Sequence, residues 1–85
     1  MRPTAKPTFA AIIREHGPFM RRALVQLGVT GRDLADVEQE VFRGIDRGLP
    51  AFDPALADHS PGALRGWLFG ICARQAANHR RVELR

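Results

Sequence analysis

Apolar residues recur at helical spacing in three stretches of this chain, and no stretch alternates in the manner of a strand. The first stretch predicts a helix over about residues 8–28, with Gly28 as its stop. Pro18 lacks an amide donor, so Gly17-Pro18 predicts a kink or break inside this helix. The apolar face of the stretch comprises Phe9, Ile12, Ile13, Phe19, Ala23, Leu24 and Leu27.

The second stretch predicts a helix over residues 31–48. Thr30 is a candidate N-cap, and Asp33 would lie in the first turn, near the positive end of the helix dipole. Apolar residues at spacings of three and four form a stripe for burial, namely Leu34, Val37, Val41, Ile45 and Leu49. A second, charged stripe comprises Asp36, Glu40, Arg43 and Arg47.

Residues 50–61 are rich in turn-forming residues and predict a loop, which Ser60-Pro61 ends as N-cap and first helical position. A third helix is expected over about residues 62–81. Its apolar side comprises Leu64, Trp67, Leu68, Ile71 and Cys72, with Gln75 or Ala76. Glycines recur every four residues at Gly62, Gly66 and Gly70, which favours close packing against a neighbour. The whole chain, residues 1–85, is therefore predicted to be one all-α domain, a compact three-helix bundle.

Composition argues against several classes of function. The chain has one cysteine, no Cys/His cluster at metal-ligand spacing and no catalytic constellation, so we expect neither an enzyme nor a bound metal or cofactor. No apolar window reaches the length of a membrane span, and the N-terminus lacks the apolar run of a secretory signal. We expect a cytoplasmic protein that does not insert into membranes.

Basic and acidic residues are concentrated in different segments of the chain. Residues 1–32 hold six basic side chains and one acid, residues 33–60 hold seven acids and two bases, and residues 61–85 hold five bases and one acid. An acidic segment between two basic ones indicates two partners of opposite charge, and nucleic acid is the obvious anionic partner. A charged helix face is more often simply solvated, so charge alone does not decide this.

Two motifs in order resemble region 2 of bacterial sigma factors, in particular the extracytoplasmic-function (ECF) group. The stretch "DLADVEQEVFRGIDRGLPAFDP" resembles that family's "D-x-x-D-x-x-Q-E-x-F" helix with its trailing "L-x-x-F" segment. The stretch "LRGWLFGICARQAANHRR" is similar to the family's "W-L-x-x-I-A-R-N" helix, which ends in a basic pair. The resemblance covers roughly residues 9 to 81.

The resemblance implies a docking role for the acidic helix. In the family, this helix binds the clamp helices of the largest subunit of RNA polymerase. The matching positions here are Asp33, Asp36, Gln39, Glu40, Phe42 and Arg43.

The resemblance also implies that the loop and third helix recognise and melt the promoter minus-ten element, holding a flipped base of the non-template strand. Phe52 and Asp53 match the start of the base-binding loop, and Arg80-Arg81 match the basic end of the helix. Side-chain chemistry adds exposed candidates for base contact, which are Phe52, His59, Arg74, Gln75 and Asn78. The candidates for phosphate contact are Arg65, Arg74, Arg80, Arg81 and Arg85. The helical spacing of Trp67 favours the core over base stacking.

Departures from the family pattern leave alternatives open. Arg74 or Gln75 stands where the family usually has Asn, Asn78 stands where it often has Asp, and the loop is longer than usual. Region 4, which reads the minus-thirty-five element, is absent, so we expect a fragment of a longer protein. An anti-sigma factor is an expected partner. The alternative function is a helical interaction module, anti-sigma-binding or decoy, without DNA recognition. A helix-turn-helix on duplex DNA fits less well, because the 50–61 loop is too long.

Overall fold

The computed structural model describes residues 8–52 and 62–83. Three helices account for most of them: α1 spans Phe9–Gln26, α2 spans Gly31–Gly48 and α3 spans Ala63–Glu83. A short 3-10 turn, Leu49–Ala51, follows α2 directly, and the described ranges contain no strand. The predicted all-α three-helix bundle is confirmed, and each helix boundary lies within about two residues of its prediction. The predicted loop beyond Phe52 lies outside the described residues.

Helix α1 runs without a break through Pro18, so of the predicted kink or break the break does not occur. The hydroxyl of Thr8 caps its start by accepting the Ala11 N–H at 3.1 Å. Ile12 and Met20, on either side of the proline, are each 1% exposed in the same core. Because both halves of α1 are held by this packing, the missing hydrogen bond at Pro18 does not end the helix. Pro18 is itself exposed, on the side where water can solvate the freed carbonyl.

Gly28 ends α1 as predicted, through a Schellman motif. Its φ of 97° lies in the left-handed region that glycine adopts without strain. The Gly28 N–H donates to the Val25 carbonyl and the Val29 N–H donates to the Leu24 carbonyl, both at 3.0 Å. Val29 is 3% exposed, which anchors the turn to the core before α2 begins.

The core lies between the three helices and takes one apolar face from each. Its buried members are Ile12, Met20, Ala23, Leu24, Val29, Val37, Val41, Ile45, Leu68, Cys72 and Ala76. The apolar stripes predicted for α2 and α3 are confirmed at their centres, and Ala76 rather than Gln75 is buried. Burial of this apolar area is the main stabilising term for a bundle of this kind.

Close helix packing occurs at two glycines of α2. A Cβ atom added at Gly48 would stand 2.9 Å from Trp67 Cζ2, and one at Gly44 would stand 3.1 Å from Ile71 Cγ2. By contrast, a Cβ at Gly62, Gly66 or Gly70 would meet no atom of the described residues within 4 Å. The prediction that these three glycines pack closely is therefore wrong. Gly66 and Gly70 border an open groove beside α2, and Gly62 precedes α3.

Candidate polymerase-docking and nucleic-acid surfaces

Side chains at the start of α2 make contacts within the domain. The hydroxyl of Thr30 donates to Asp33 Oδ2 at 3.3 Å, and the Asp33 N–H donates to the Thr30 carbonyl at 3.0 Å. Asp33 Oδ2 also lies 3.4 Å from His79 Nε2 of α3. Asp33 thus helps to start α2 and to hold α3, so it is less available to a partner than its motif position implies.

The outer face of α2 carries three of the predicted docking residues. Asp36, Gln39 and Arg43 are all exposed, and their spacing of three and four places them on one side of the helix. Glu40 is half-buried beside this face and forms an ion pair with Arg43. The carboxylate of Asp36 is therefore the exposed acid of this face among the predicted docking residues.

A groove between α1 and α2 borders the outer face of α2 on one side. Phe42 is half-buried there and meets Phe9 edge to face, with ring centroids 6.4 Å apart. The groove has a volume of about 400 Å³. Its lining residues are Phe9, Gln39, Phe42, Arg43 and Asp46. Phe42 therefore offers an apolar floor next to exposed polar side chains.

A second groove, between α2 and α3, joins residues that sequence reasoning assigned to different partners. It has a volume of about 330 Å³. Its lining residues are Asp36, Val37, Glu40, Gln75, Asn78 and His79. The acids assigned to polymerase and the amides assigned to DNA thus face the same space. The two predicted surfaces meet along this groove, which the sequence did not indicate.

Phe52 does not have the exposure expected of a base-contacting residue. It is 7% exposed, and its ring lies against Trp67 with centroids 4.9 Å apart. The 3-10 turn directs it inward, since the Phe52 N–H donates back to the Leu49 carbonyl at 3.1 Å. The expectation of an exposed Phe52 is wrong. The other two predicted loop contacts, Asp53 and His59, lie outside the described residues.

Most of the predicted DNA-contacting side chains of α3 are exposed. Arg65, Arg74, Asn78 and Arg81 are exposed, and Gln75 is half-buried. The guanidinium of Arg65 lies over the Phe19 ring of α1, with Cζ 4.8 Å from the ring centroid.

Arg80 has a structural contact that its place in the basic pair does not indicate. Its Nη2 donates to the Leu27 carbonyl at 2.8 Å, which satisfies an orphan acceptor at the C-terminal end of α1. Together with the His79–Asp33 contact, two consecutive residues of α3 therefore hold the end of α1 and the start of α2.

The outer face of α3 combines small and basic residues and borders a groove beside α2. Gly66, Gly70 and Ala77 are exposed at helical spacing, and Arg74 and Arg81 border them. Small side chains let a flat or extended ligand approach the helix backbone closely. Phe69 is 43% exposed on this helix, and the sequence analysis did not select it.

The described residues include one thiol, and it is shielded from solvent. Cys72 is fully buried, and burial raises the pKa of its thiol to about 11, so the nucleophilic thiolate is scarce. Within residues 8–52 and 62–83, no group of three potential ligands could hold a metal ion. No helix found there is long and apolar enough to cross a bilayer.

Comparison with known families gives one result. The family model described as Sigma-70 region 2 matches residues 12–85. No match was found among curated proteins or among solved structures. The match spans α1 from Ile12 onward together with α2 and α3, and it includes both motifs on which the resemblance rests. This chain therefore belongs to the sigma-70 region 2 family, whose members take part in RNA polymerase binding and promoter recognition.

Proposed function

We propose that this domain docks on the clamp helices of the RNA polymerase largest subunit through α2, and that it recognises and melts the promoter minus-ten element through α3. An ECF-type sigma factor is the class that fits this reading. The observation that carries the proposal is the arrangement of two unlike surfaces on adjacent helices. The outer face of α2 exposes Asp36 and Gln39, whereas the outer face of α3 exposes Arg74 and Arg81 around glycines.

The docking surface comprises Asp36, Gln39 and Arg43, with Glu40 and Phe42 at its two edges. Asp36 and Glu40 can meet basic side chains, and the partly buried Phe42 can add apolar contact. Exposed charge of this kind raises the association rate more than the affinity, and salt screens it. Asp33 belongs to the fold more than to the interface, because its carboxylate already meets Thr30 and His79.

Docking is tested by changing Asp36→Arg and titrating the chain with a clamp-helix fragment of the polymerase. We expect binding to weaken by about tenfold at low salt, because an attractive charge becomes a repulsive one. Glu15→Arg is the matched control, since it makes the same charge change at an exposed site of α1. Equal affinity of the wild type and the Asp36 variant for the clamp-helix fragment would contradict the proposed docking through α2.

The DNA surface is proposed to comprise the outer face of α3 and its edge along the α2–α3 groove. Arg74 and Arg81 can neutralise phosphates, while Gln75 and Asn78 can hydrogen-bond base edges. Asp36 and Glu40 across the groove repel phosphates, so an unpaired base is the part of a nucleic acid that would enter there. Asp53 and His59 remain proposed contacts of the preceding loop.

Arg74→Gln tests the nucleic-acid role. Binding to a single-stranded minus-ten oligonucleotide should weaken, and the slope of log affinity against log salt should become shallower by about 0.7 for one lost phosphate contact. Arg32→Gln is the control, because Arg32 is exposed on α2 rather than on α3. A slope that Arg74→Gln leaves unchanged would contradict the phosphate contact.

A second candidate function is an interaction module, with an anti-sigma factor as partner and without DNA recognition. Two observations favour it: Phe52 is buried against Trp67, and Arg80 is bound to the Leu27 carbonyl. Both residues are thereby withdrawn from the expected DNA contacts. Clamp-helix binding together with no oligonucleotide binding at moderate salt would select this candidate.

A further inference from the structure

Phe69 is an exposed aromatic side chain on α3 that the core does not use. It is 43% exposed, whereas its neighbours Leu68 and Cys72 are fully buried. Phe69 lies at the edge of the apolar face, three and seven residues before the buried Cys72 and Ala76, yet a large part of its side chain stays exposed. An exposed aromatic ring on a basic helix needs an account based on what covers it.

The surroundings of Phe69 are aromatic and basic. Arg65 lies one turn before it on the same side of α3 and reaches over the Phe19 ring of α1, with Cζ 4.8 Å from the centroid. Arg22 follows Phe19 by three residues on α1 and is exposed. We define Phe19, Arg22, Arg65 and Phe69 as the aromatic–basic strip. Within the described residues, neither arginine of the strip has a carboxylate partner.

This composition selects among ligands. A protein partner that buried Phe69 would also have to supply acids for the two arginines. A single-stranded nucleic acid supplies both needs at once, because its bases stack on aromatic rings while its phosphates pair with arginine. Glu15, one turn before Phe19 on α1, limits the basic region on that side.

We propose that Phe69 is a stacking platform for one unpaired base of single-stranded DNA whose phosphates meet Arg22 and Arg65. The platform extends the proposed DNA surface from the outer face of α3 to the α1–α3 edge, and it rests on that proposed function. Stacking is indifferent to base identity, so Phe69 contributes affinity rather than promoter sequence preference.

The test measures anisotropy of labelled single-stranded oligonucleotides on the complete 85-residue chain. Phe69→Leu keeps the side chain apolar but removes the ring, and we expect about five- to tenfold weaker binding. Phe69→Trp should retain or improve the wild-type affinity. Phe9→Leu is the matched control, since it makes the same change at a ring 37% exposed on α1. Because Phe69 is 43% exposed, the Leu variant should lose little stability, and its urea denaturation shows that weaker binding does not come from unfolding.

An oligonucleotide with abasic sites separates stacking from charge. The loss caused by Phe69→Leu should disappear on the abasic strand, since only phosphate contacts remain. Wild-type affinity in the Leu variant, or an equal loss on both strands, would overturn the proposal. So would a wild-type chain that binds no oligonucleotide at low salt.

Failure of the promoter assignment has a different signature. If the wild type binds minus-ten and scrambled strands equally while Phe69→Leu still weakens both, the stacking platform stands and sequence recognition fails. If the wild type prefers the minus-ten strand and Phe69→Leu changes nothing, recognition stands and the platform fails.

Discussion

At the scale of single residues, Arg80 illustrates how sequence position and structural use can differ. It forms half of a basic pair, which the resemblance assigns to DNA, yet its guanidinium caps α1 at the Leu27 carbonyl. Its neighbour Arg81 is exposed and has no such contact among the described residues. The sequence could not distinguish the two, because the Arg80 contact joins residues 53 positions apart.

Arg80→Met should therefore destabilise the domain, whereas Arg81→Met should not. The expected cost is about 1 kcal/mol in the free energy of unfolding, because a charge-assisted hydrogen bond at a helix terminus is lost while the side-chain stem is kept. Urea denaturation followed by circular dichroism measures both variants. A larger loss of stability for Arg81→Met than for Arg80→Met would contradict the structural role of Arg80.

At the scale of helices, α2 and α3 use their glycines in opposite ways. Gly44 and Gly48 admit Ile71 and Trp67 from α3, whereas Gly66 and Gly70 line an open surface. A spacing of four marks both pairs, and the sequence analysis selected Gly66 and Gly70, together with Gly62, for close packing. Spacing shows which glycines share a face, but the direction of that face depends on how the helices pack.

Gly48→Ala and Gly66→Ala should consequently change stability in opposite directions. The new methyl group at residue 48 would stand 2.9 Å from the ring of Trp67, which is held by Phe52, so we expect a loss of about 1–2 kcal/mol. The methyl group at residue 66 meets open space, and the better helix propensity of alanine should add about 0.5–1 kcal/mol. Thermal unfolding of both variants tests this, and destabilisation by Gly66→Ala would place that residue against a neighbour.

At the scale of the whole molecule, the buried thiol of Cys72 links folding to alkaline pH. Burial raises its pKa to about 11 in the folded chain, against 9.0 for an ordinary thiol. The folded state therefore keeps the thiol protonated where the unfolded state releases the proton. This stabilising effect is complete below about pH 9 and is lost as pH rises from there to 11.

The free energy of unfolding should thus fall by about 2 kcal/mol between pH 9 and 11. The chain contains no tyrosine and only one lysine, Lys6, so few other side chains titrate in this range. Cys72→Ala supplies the comparison: it should be less stable at neutral pH because of the small cavity, and it should have a flatter profile. An equally steep decline in both proteins would assign the effect to another group.

Much of the fold, and the exposure of several candidate site residues, could be predicted from the sequence. Helical periodicity located α1, α2 and α3, because each buries one continuous face. Gly28 predicted the end of α1, because glycine adopts a positive φ without strain. The predicted break at Pro18 does not occur, since packing of Ile12 and Met20 outweighs one lost hydrogen bond. The shared α2–α3 groove, the burial of Phe52 and the strip around Phe69 depend on contacts between helices, which periodicity within one helix does not contain. The sequence carried no signal that Phe69 stays exposed, because its spacing from Cys72 and Ala76 places it at the edge of the apolar face.

The packing of Trp67 between Phe52 and Gly48 gives the protein a built-in optical reporter. It is the single tryptophan of a chain without tyrosine, so intrinsic ultraviolet emission comes from one known place. That place lies where α2 ends, beside the residue from which the 53–61 segment departs. Any ligand or partner that moves Phe52 should shift the emission without an attached dye, and binding that leaves this corner undisturbed should be spectroscopically silent.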